Sequence, residues 1–347
     1  MVLAEGVAAA TAVDRTHQPS HLTCRPPLRL ISRSAAPAST ATPSLSIVIP
    51  TYNGLSVLRC CLASVRRYLP PNSEVIVVDD ASSDGTAECL RRQYPWVRLI
   101  RFEENRGFCA AVNAGIRAAR APIVETLNND TIVTPGWAEP ALRLFRDPTV
   151  ASVAPRVWCL AEEGVLDSTG LSYHLSGYGR NRGCRRRCTR RYTRRREVFG
   201  ATASAAFYRR DAVLDVGGFP EEFVAYYDDV DLAFRLRWAG YRCVYEPQSE
   251  VVHWGSFSHN LRTEAIARRY ALNEERTFWM NLPTHLLPLA TPLHVLYLIA
   301  RTALMFYRGV GMAYLRGKVD AVRQWRRIAE GRAQRVRPGR GVRLFAS

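Results

Sequence analysis

"EVIVVDDASSDGTAECL", residues 74–90, decides how the rest of the chain is read. An apolar run rich in Val and Ile stops on two carboxylates, and a turn of Ser, Asp and Gly then opens a helical pattern. A strand apolar on both faces needs cover on both faces, which is the setting of a parallel sheet. The alternation continues outward. Before the stretch come "LSIVIP" (45–50) and a helical pattern reaching Tyr68; after it come "VRLIRF" (97–102), the helix "GFCAAVNAGIRAA" (107–119) and "PIVETLNND" (122–130). These are βαβ units, so the fold class is α/β, and a ligand site belongs at the carboxyl ends of the strands.

The acids fall at those ends. Asp79 and Asp80 close the second strand, and Asn128, Asn129 and Asp130 close the fourth. Carboxylates brought to one rim repel each other unless a cation or hydrogen-bond donors lie between them. Asp80 or Asp84 could instead cap the helix that begins near Gly85; that role is expected of Asp84, and a functional one of Asp79 and Asp130. Asp228, Asp229 and Asp231 precede "LAFRLRWAG" (232–240), after a turn marked by Gly217, Gly218 and Pro220. Attraction to a helix N-terminus explains one acid there, but not three.

Composition sets the bounds. The 347 residues are 47% hydrophobic, enough for one large or two ordinary packed domains. The formal charge of +17 is almost all arginine, because Lys318 is the only lysine. Ten arginines and no acid fill residues 180–196, and a second basic block covers 301–343. Such blocks are solvated faces or are drawn to phospholipid, phosphorylated substrate or nucleic acid. A nucleic-acid-binding protein is the reading from charge alone; no recognition module and no interleaved stacking aromatics accompany it. Nine cysteines, an odd count with mostly apolar neighbours, suit a reducing compartment. Cys184 and Cys188 lack two further ligands for zinc. Residues 1–43 read as a disordered leader without a secretory signal, since Glu5 stands where positive charge is needed.

Seven ordered motifs then share one resemblance: "IVIPTYNG" (47–54), "VIVVDDASSDGT" (75–86), "NRGFCAAVNAG" (105–115), "LNNDT" (127–131), "GATASAAFYRRDAV" (200–213), "VGGFPEEFVAYYDDVDLAFRLRWAGY" (216–241) and "VVHWGS" (251–256). Together they resemble glycosyltransferase family 2, most closely its bacterial rhamnosyltransferase-like branch, over roughly residues 45–280. The resemblance implies a GT-A fold, a sandwich around a central, mostly parallel sheet. It also implies transfer of a sugar, with inversion, from a nucleotide diphosphate-sugar carrying dTDP, UDP or GDP. By resemblance, Pro50, Thr51, Tyr52, Asn53 and Asp79 hold the nucleobase and ribose, and Gly107 and Asn113 line the donor side with Asn128 and Asn129. Asp130 is the retained carboxylate of an Asp-x-Asp metal motif whose first acid is Asn128. With His253 it would hold Mg²⁺ or Mn²⁺, the diphosphate supplying the remaining oxygens. Asp229 is the expected general base, Asp228 its partner towards the acceptor together with Gly200 and Ala201, and Asp231 an orienter of the helix start. Pro220 and Glu221 depart from the Asp-Glu common in relatives. A sugar nucleotidyltransferase, the enzymatic alternative, needs a glycine-rich phosphate loop after the first strand, and "PTYNGLSVL" (50–58) is not one.

The expected organisation is a leader (1–43), a catalytic domain (44–276) with donor half 44–131 and acceptor half 132–276, and a C-terminal helical, membrane-associating segment with a basic tail (277–347). Thr277 to Ala300 carry no Asp, Glu, Lys or Arg, longer than a membrane span requires. Pro283, Pro288 and Pro292 speak against one continuous helix. An interfacial or re-entrant segment is expected ahead of a true span or a buried helical pair. The arginine-rich run is either a solvated loop or faces a lipid-linked diphosphate or headgroups. The expected partners are a polyprenyl-linked or other glycan acceptor and an anionic membrane surface, without nucleic acid; homodimerisation is left open. The expected place is the cytoplasmic face of a bacterial inner membrane.

Overall fold

In a computed structural model, residues 42–254 and 263–335 are described. The expected leader therefore lies outside the described residues except for its last two positions, as does the basic tail beyond 335. The first strands are β1 (Leu45–Thr51), β2 (Ser73–Asp79), β3 (Arg98–Arg101) and β4 (Ile123–Leu127), separated by α1 (Leu55–Tyr68), α2 (Thr86–Gln93) and α3 (Phe108–Ala118). β1 runs parallel to both β2 and β4, and β2 to β3. Alternate residues bury on opposite faces: Val48, Ile76 and Val78 enter one core, and Ile47, Ile49, Val75 and Val77 the other. This two-sided burial is why the strands read as unbroken apolar runs. The lateral order is β3-β2-β1-β4, so the winding reverses between β1 and β4. Such a switch point opens a crevice at the carboxyl ends of the two strands.

Beyond it the sheet is mixed. β5 (Thr131–Val133), α4 (Ala138–Leu144) and β6 (Val150–Cys159) lead into fragments: β7 (Val165–Ser168), β8 (Leu171–Tyr173), β9 (Gly179–Asn181), β10 (Arg186–Arg187) and β11 (Arg196–Val198). β12 (Ala205–Arg209) inserts antiparallel between β4 and β6. Then come α5 (Arg210–Asp215), α6 (Asp228–Trp238) and β13 (Arg242–His253), the last parallel to β6 and antiparallel to β5 and β11. The three acids expected ahead of a helix lie inside the first turn of α6 instead.

Four helices finish the described chain: α7 (Glu264–Asn281), α8 (Leu287–Tyr307), α9 (Gly311–Arg323) and α10 (Trp325–Arg335). The expected boundary at 276/277 falls inside α7. As the prolines led one to expect, 277–300 is not one continuous helix: α7 ends at Asn281, just before Pro283, and α8 begins at Leu287. Pro283 precedes a 3-10 turn, Pro288 occupies the first turn, where its missing N–H has no intrahelical partner to lose, and only Pro292 lies inside the helix. The segment 284–307 is long and apolar enough to cross a membrane, and little of it is buried.

The helices close on a charged hub. Buried Glu274 of α7 accepts hydrogen bonds from Tyr227, Tyr297 of α8, and Tyr314 and Lys318 of α9. Lys318 also donates to Glu275, 2.9 Å away, and His294 of α8 lies 3.2 Å from the same carboxylate. Burial alone would raise the Glu275 pKa; His294 and Lys318 outweigh it and hold the group at about 2.

Candidate active site

Loops at the carboxyl ends of β1, β2 and β4 build one wall of a cleft of about 950 Å³, and the segments around β9, β12, α6 and α7 build the other. Across the switch point Asn129 Nδ2 donates to Thr51 Oγ1 at 2.9 Å. Asn53, in the left-handed region at φ 47°, accepts from Ser83 N at 2.8 Å, tying the β1 loop to the β2 loop. Asp84 accepts from Thr86 N and from Leu55 N, so it secures the starts of both α2 and α1, in line with the capping role expected of it. Tyr52 is left 53% exposed at the cleft, an aromatic face free for a planar ligand.

Of the two acids ending β2, Asp80 reaches the cleft and Asp79 does not. Asp79 is fully buried; its Oδ1 accepts from Ser82 N at 3.0 Å, and Arg101 Nε lies 3.6 Å from its Oδ2. Asp80 accepts from Arg106 N at 2.7 Å and Gly107 N at 2.8 Å, fixing the entry to α3. Gly107 is required there: its φ is +88°, and an added Cβ would lie 2.4 Å from Val224 Cγ1.

The opposite wall is held under backbone strain. Val224, Tyr226 and Tyr227 have φ of 63°, 72° and 62°, conformations that cost a non-glycine residue about 1–3 kcal/mol each. Asn273 Nδ2 of α7 lies 2.9–3.0 Å from the carbonyls of Phe223, Ala225 and Tyr226 and clamps them. The result is to present Asp228 and Asp229 to the cleft. Asp229 accepts from Ala203 N at 3.2 Å and Val230 N at 2.8 Å; burial outweighs these bonds and raises its pKa. Burial, and then the charge of Asp229, push Asp228 well above the usual carboxylate range. Asp231 behaves differently. Burial would raise it, but Arg235 and Arg335 outweigh burial and hold it low, with Asn281 Nδ2 donating at 2.8 Å. It locks α6 to α7 and α10 rather than merely orienting its own helix start.

Asp130 and His253 are brought together from β5 and β13: Nε2 lies 3.1 Å from Oδ1, and both side chains are buried outside the cleft lining. On the other side of the imidazole Asp167 Oδ2 lies 3.1 Å from Nδ1. Burial would lower the His253 pKa, but the hydrogen bonds to both carboxylates outweigh it and raise it to about 10. The donors fit a hard or borderline divalent cation. Two adjacent ligands of an octahedral ion, each at about 2.1 Å, stand about 3 Å apart, and a ligating histidine ordinarily gives its second N–H to a carboxylate. Among the described residues no three His, Cys, Asp or Glu side chains form a metal cluster, so a bound cation would need further oxygens from its substrate. Among the described residues, Asn128 Oδ1, on the cleft, is a buried acceptor without a protein donor, as is Asp228 Oδ2, and buried Ser204 Oγ also lacks a partner.

Asn53, like Asp79, is off the cleft lining, and three further expected residues are off it for packing reasons. Asn113 bonds both ways to the Phe219 backbone at 2.8 Å and faces a separate pocket behind α3. Gly200 and Ala201 are also off the lining; a Cβ on Gly200 would lie 2.4 Å from Ala233 Cβ, so this glycine serves the packing of α6, and Thr202, Ala203 and Ser204 line the cleft instead. Asp167 was missed because a lone acid in "VLDS" carries no motif; its partner His253 lies 86 residues away. The cleft's arginines were only partly anticipated. Five come from residues 180–191, and Arg269, Arg301 and Arg308 come from α7, α8 and the residue after α8.

With this geometry in view, the comparisons with known proteins agree with one another. A family model described as glycosyl transferase family 2 matches residues 46–217. The pre-mycofactocin glycosyltransferase of Mycobacterium tuberculosis is 31% identical over 224 residues, 64% of this chain and 45% of that protein. This chain thus aligns with under half the length of that relative. The N-acetylglucosaminyl-diphospho-decaprenol L-rhamnosyltransferase of the same species is 30% identical over 242 residues, 61% of this chain and 76% of that one. Among solved structures, GalNAc-T7 with UDP, GalNAc and Mn²⁺ superposes with a TM-score of 0.55 at 14% identity, covering 70% of this chain and 51% of that one. The mannosyltransferase PcManGT of Pyrobaculum calidifontis, in complex with GDP-Man and Mn²⁺, gives 0.51 at 19% identity, covering 82% and 88%. These two likenesses concern the fold.

Proposed function

The chain belongs to glycosyl transferase family 2 and is a glycosyltransferase, and from that premise we propose that it transfers a hexose or deoxyhexose, with inversion, from a nucleoside diphosphate-sugar to a lipid-linked acceptor at a membrane surface. The observation that carries the reading is the convergence of polar atoms without protein partners, Asn128 Oδ1 and Asp228 Oδ2, on one cleft at the switch point of the sheet. Buried polar groups are ordinarily paired, so orphans in an open cleft point to a polar ligand.

Tyr52 offers its ring to the nucleobase, and Thr51, Asn128 and Asn129 meet the ribose and phosphates. Asp130 and His253 would hold a divalent cation, which supplies positive charge to the departing diphosphate. Asp229 takes the proton from the acceptor hydroxyl as that oxygen bonds the anomeric carbon and the bond from that carbon to the diphosphate oxygen breaks. A positioned base contributes about 10²–10⁴ in rate, or roughly 3–5 kcal/mol. Asp228, whose charged form is disfavoured by burial and by the charge of Asp229, faces the acceptor beside it. A membrane-facing site at the cytoplasmic face is supported, as to the membrane, by the exposed apolar side of α8. The named relative that acts on a diphospho-decaprenol supports a lipid-linked acceptor and, with its rhamnosyl activity, a deoxyhexose donor.

The test is a thermal-shift panel of dTDP-, UDP- and GDP-sugars, each with and without Mn²⁺. One nucleotide class should raise Tm, more so with Mn²⁺; a ligand at 100 times its Kd adds about 2.7 kcal/mol. No shift with any of them would overturn the donor assignment.

A further inference from the structure

α8 presents opposite chemistry on its two sides. Leu289, Leu293, Leu296, Ile299, Phe306 and Tyr307 are exposed, Leu296 and Ile299 by 65% and 64%, and Met312 and Val322 of α9 are exposed as well. Arg301 and Arg308, seven residues apart and so nearly in line on the helix surface, line the cleft instead. Arg269 of α7 joins them. Among the described residues neither Arg269 nor Arg301 has a carboxylate within ion-pair distance. Arg301 lies over the Tyr270 ring at 5.3 Å, and its Nε is buried without an acceptor.

The three acids of the cleft are Asp80, Asp228 and Asp229. Asp80 is engaged by backbone N–H groups, and Asp228 and Asp229 flank the reaction centre. In the cleft lining eight arginines thus stand against three carboxylates. Guanidinium groups facing one another across a cleft repel until an anion enters, and their planar forks match phosphate oxygens two at a time.

We propose that Arg269, Arg301 and Arg308 form the subsite for the acceptor's diphosphate, with the lipid carrier passing into the bilayer on which the outer side of α8 lies. This rests on the lipid-linked reading above and adds where the acceptor's charge is held. Phospholipid headgroups offer the same chemistry, but these arginines lie in the cavity that holds Asp229, whereas headgroups would meet the outer side of α8, whose exposed side chains are apolar. The same helix thus docks on the membrane and reads the acceptor.

The test titrates inorganic pyrophosphate into the full chain saturated with whichever of UDP, GDP or dTDP stabilises it. Wild type should bind, and the Arg301→Gln/Arg308→Gln variant at least tenfold more weakly, with nucleoside diphosphate affinity unchanged. Arg269→Gln, on an exposed side chain, repeats the measurement without disturbing α8. In vesicles carrying a polyprenyl diphosphate-sugar, the acceptor KM should rise at least tenfold with kcat within threefold, and Arg301→Lys should recover part of the loss. Unchanged pyrophosphate affinity in these variants would overturn the subsite. Loss of nucleoside diphosphate binding would overturn it too, by assigning the arginines to the donor. In a separate arm, Leu296→Glu/Ile299→Glu should abolish flotation with vesicles of anionic phospholipid while pyrophosphate affinity stays. Wild type that binds pyrophosphate yet fails to float would sink the lipid-linked reading and the carrier's path, leaving the anion site standing.

Discussion

Asp167 and His253 lie 3.1 Å apart, on the side of the imidazole turned away from Asp130. A carboxylate in that position fixes which ring nitrogen keeps its proton, so that Nε2 is presented to whatever Asp130 also contacts. Asp167→Asn is expected to raise the Mn²⁺ concentration for half-maximal activity by about 10–100-fold. An unchanged metal titration would remove Asp167 from the support of the site.

The neighbouring acids of α6 should respond differently to the same change. Burial and the charge of Asp229 disfavour the charged form of Asp228, so Asp228→Asn, which removes that charge, is expected to cost less than the same change at Asp229. Asp229→Asn removes the acceptor of the proton. Steady-state kinetics should give a kcat loss of about 10²–10⁴ at position 229 and under about tenfold at 228, with donor binding intact in both. Equal losses would mean that the pair acts as one unit.

Glu125 tests burial on β4. It is fully buried, both carboxylate oxygens lie 3.0 Å from Trp137 Nε1, and burial, only partly offset by that donor, raises its pKa from 4.5 to about 8. A raised carboxyl pKa means that the folded state binds more protons than the unfolded one between those values, so its contribution to stability falls as pH rises from 4.5 to about 8. Glu125→Gln keeps an acceptor for Trp137 without the charge. Its Tm should exceed wild type by about 2–4 °C or more at pH 8 and differ little at pH 4.5; the same increment at both values would contradict the burial argument.

Lys318 compensates two buried carboxylates, Glu274 and Glu275. Lys318→Met should destabilise by about 3–5 kcal/mol at neutral pH, the usual result of orphaning a buried charge. The deficit should shrink as pH falls, because buried carboxyls that have lost their cation take up protons more readily. Urea melts at pH 7 and pH 4.5 would show this, and a pH-independent deficit would assign the effect to packing.

The donor half was legible because β1, β2 and β4 are buried on both sides, which leaves unbroken Val and Ile runs between polar turns, while β3 at the sheet edge is only partly covered. From β7 to β11 no strand exceeds four residues and the arginines fall without period, so nothing in the pattern marked an element. Asn113 was placed at the donor by resemblance of its motif to the family. The helix turns it instead towards Phe219, a partner 106 residues away. The break that the prolines signalled falls at Pro283, between α7 and α8, while Pro288 and Pro292 are accommodated within α8.

The solitary lysine has one more consequence. With Lys318 pinned between two carboxylates under α7, amine-directed reagents find no freely exposed side chain to modify on the described folded chain. Acylation at that residue would register a transient parting of α9 from α7, giving a built-in chemical stopwatch for the helices that support Tyr227 and the strained turn beside it.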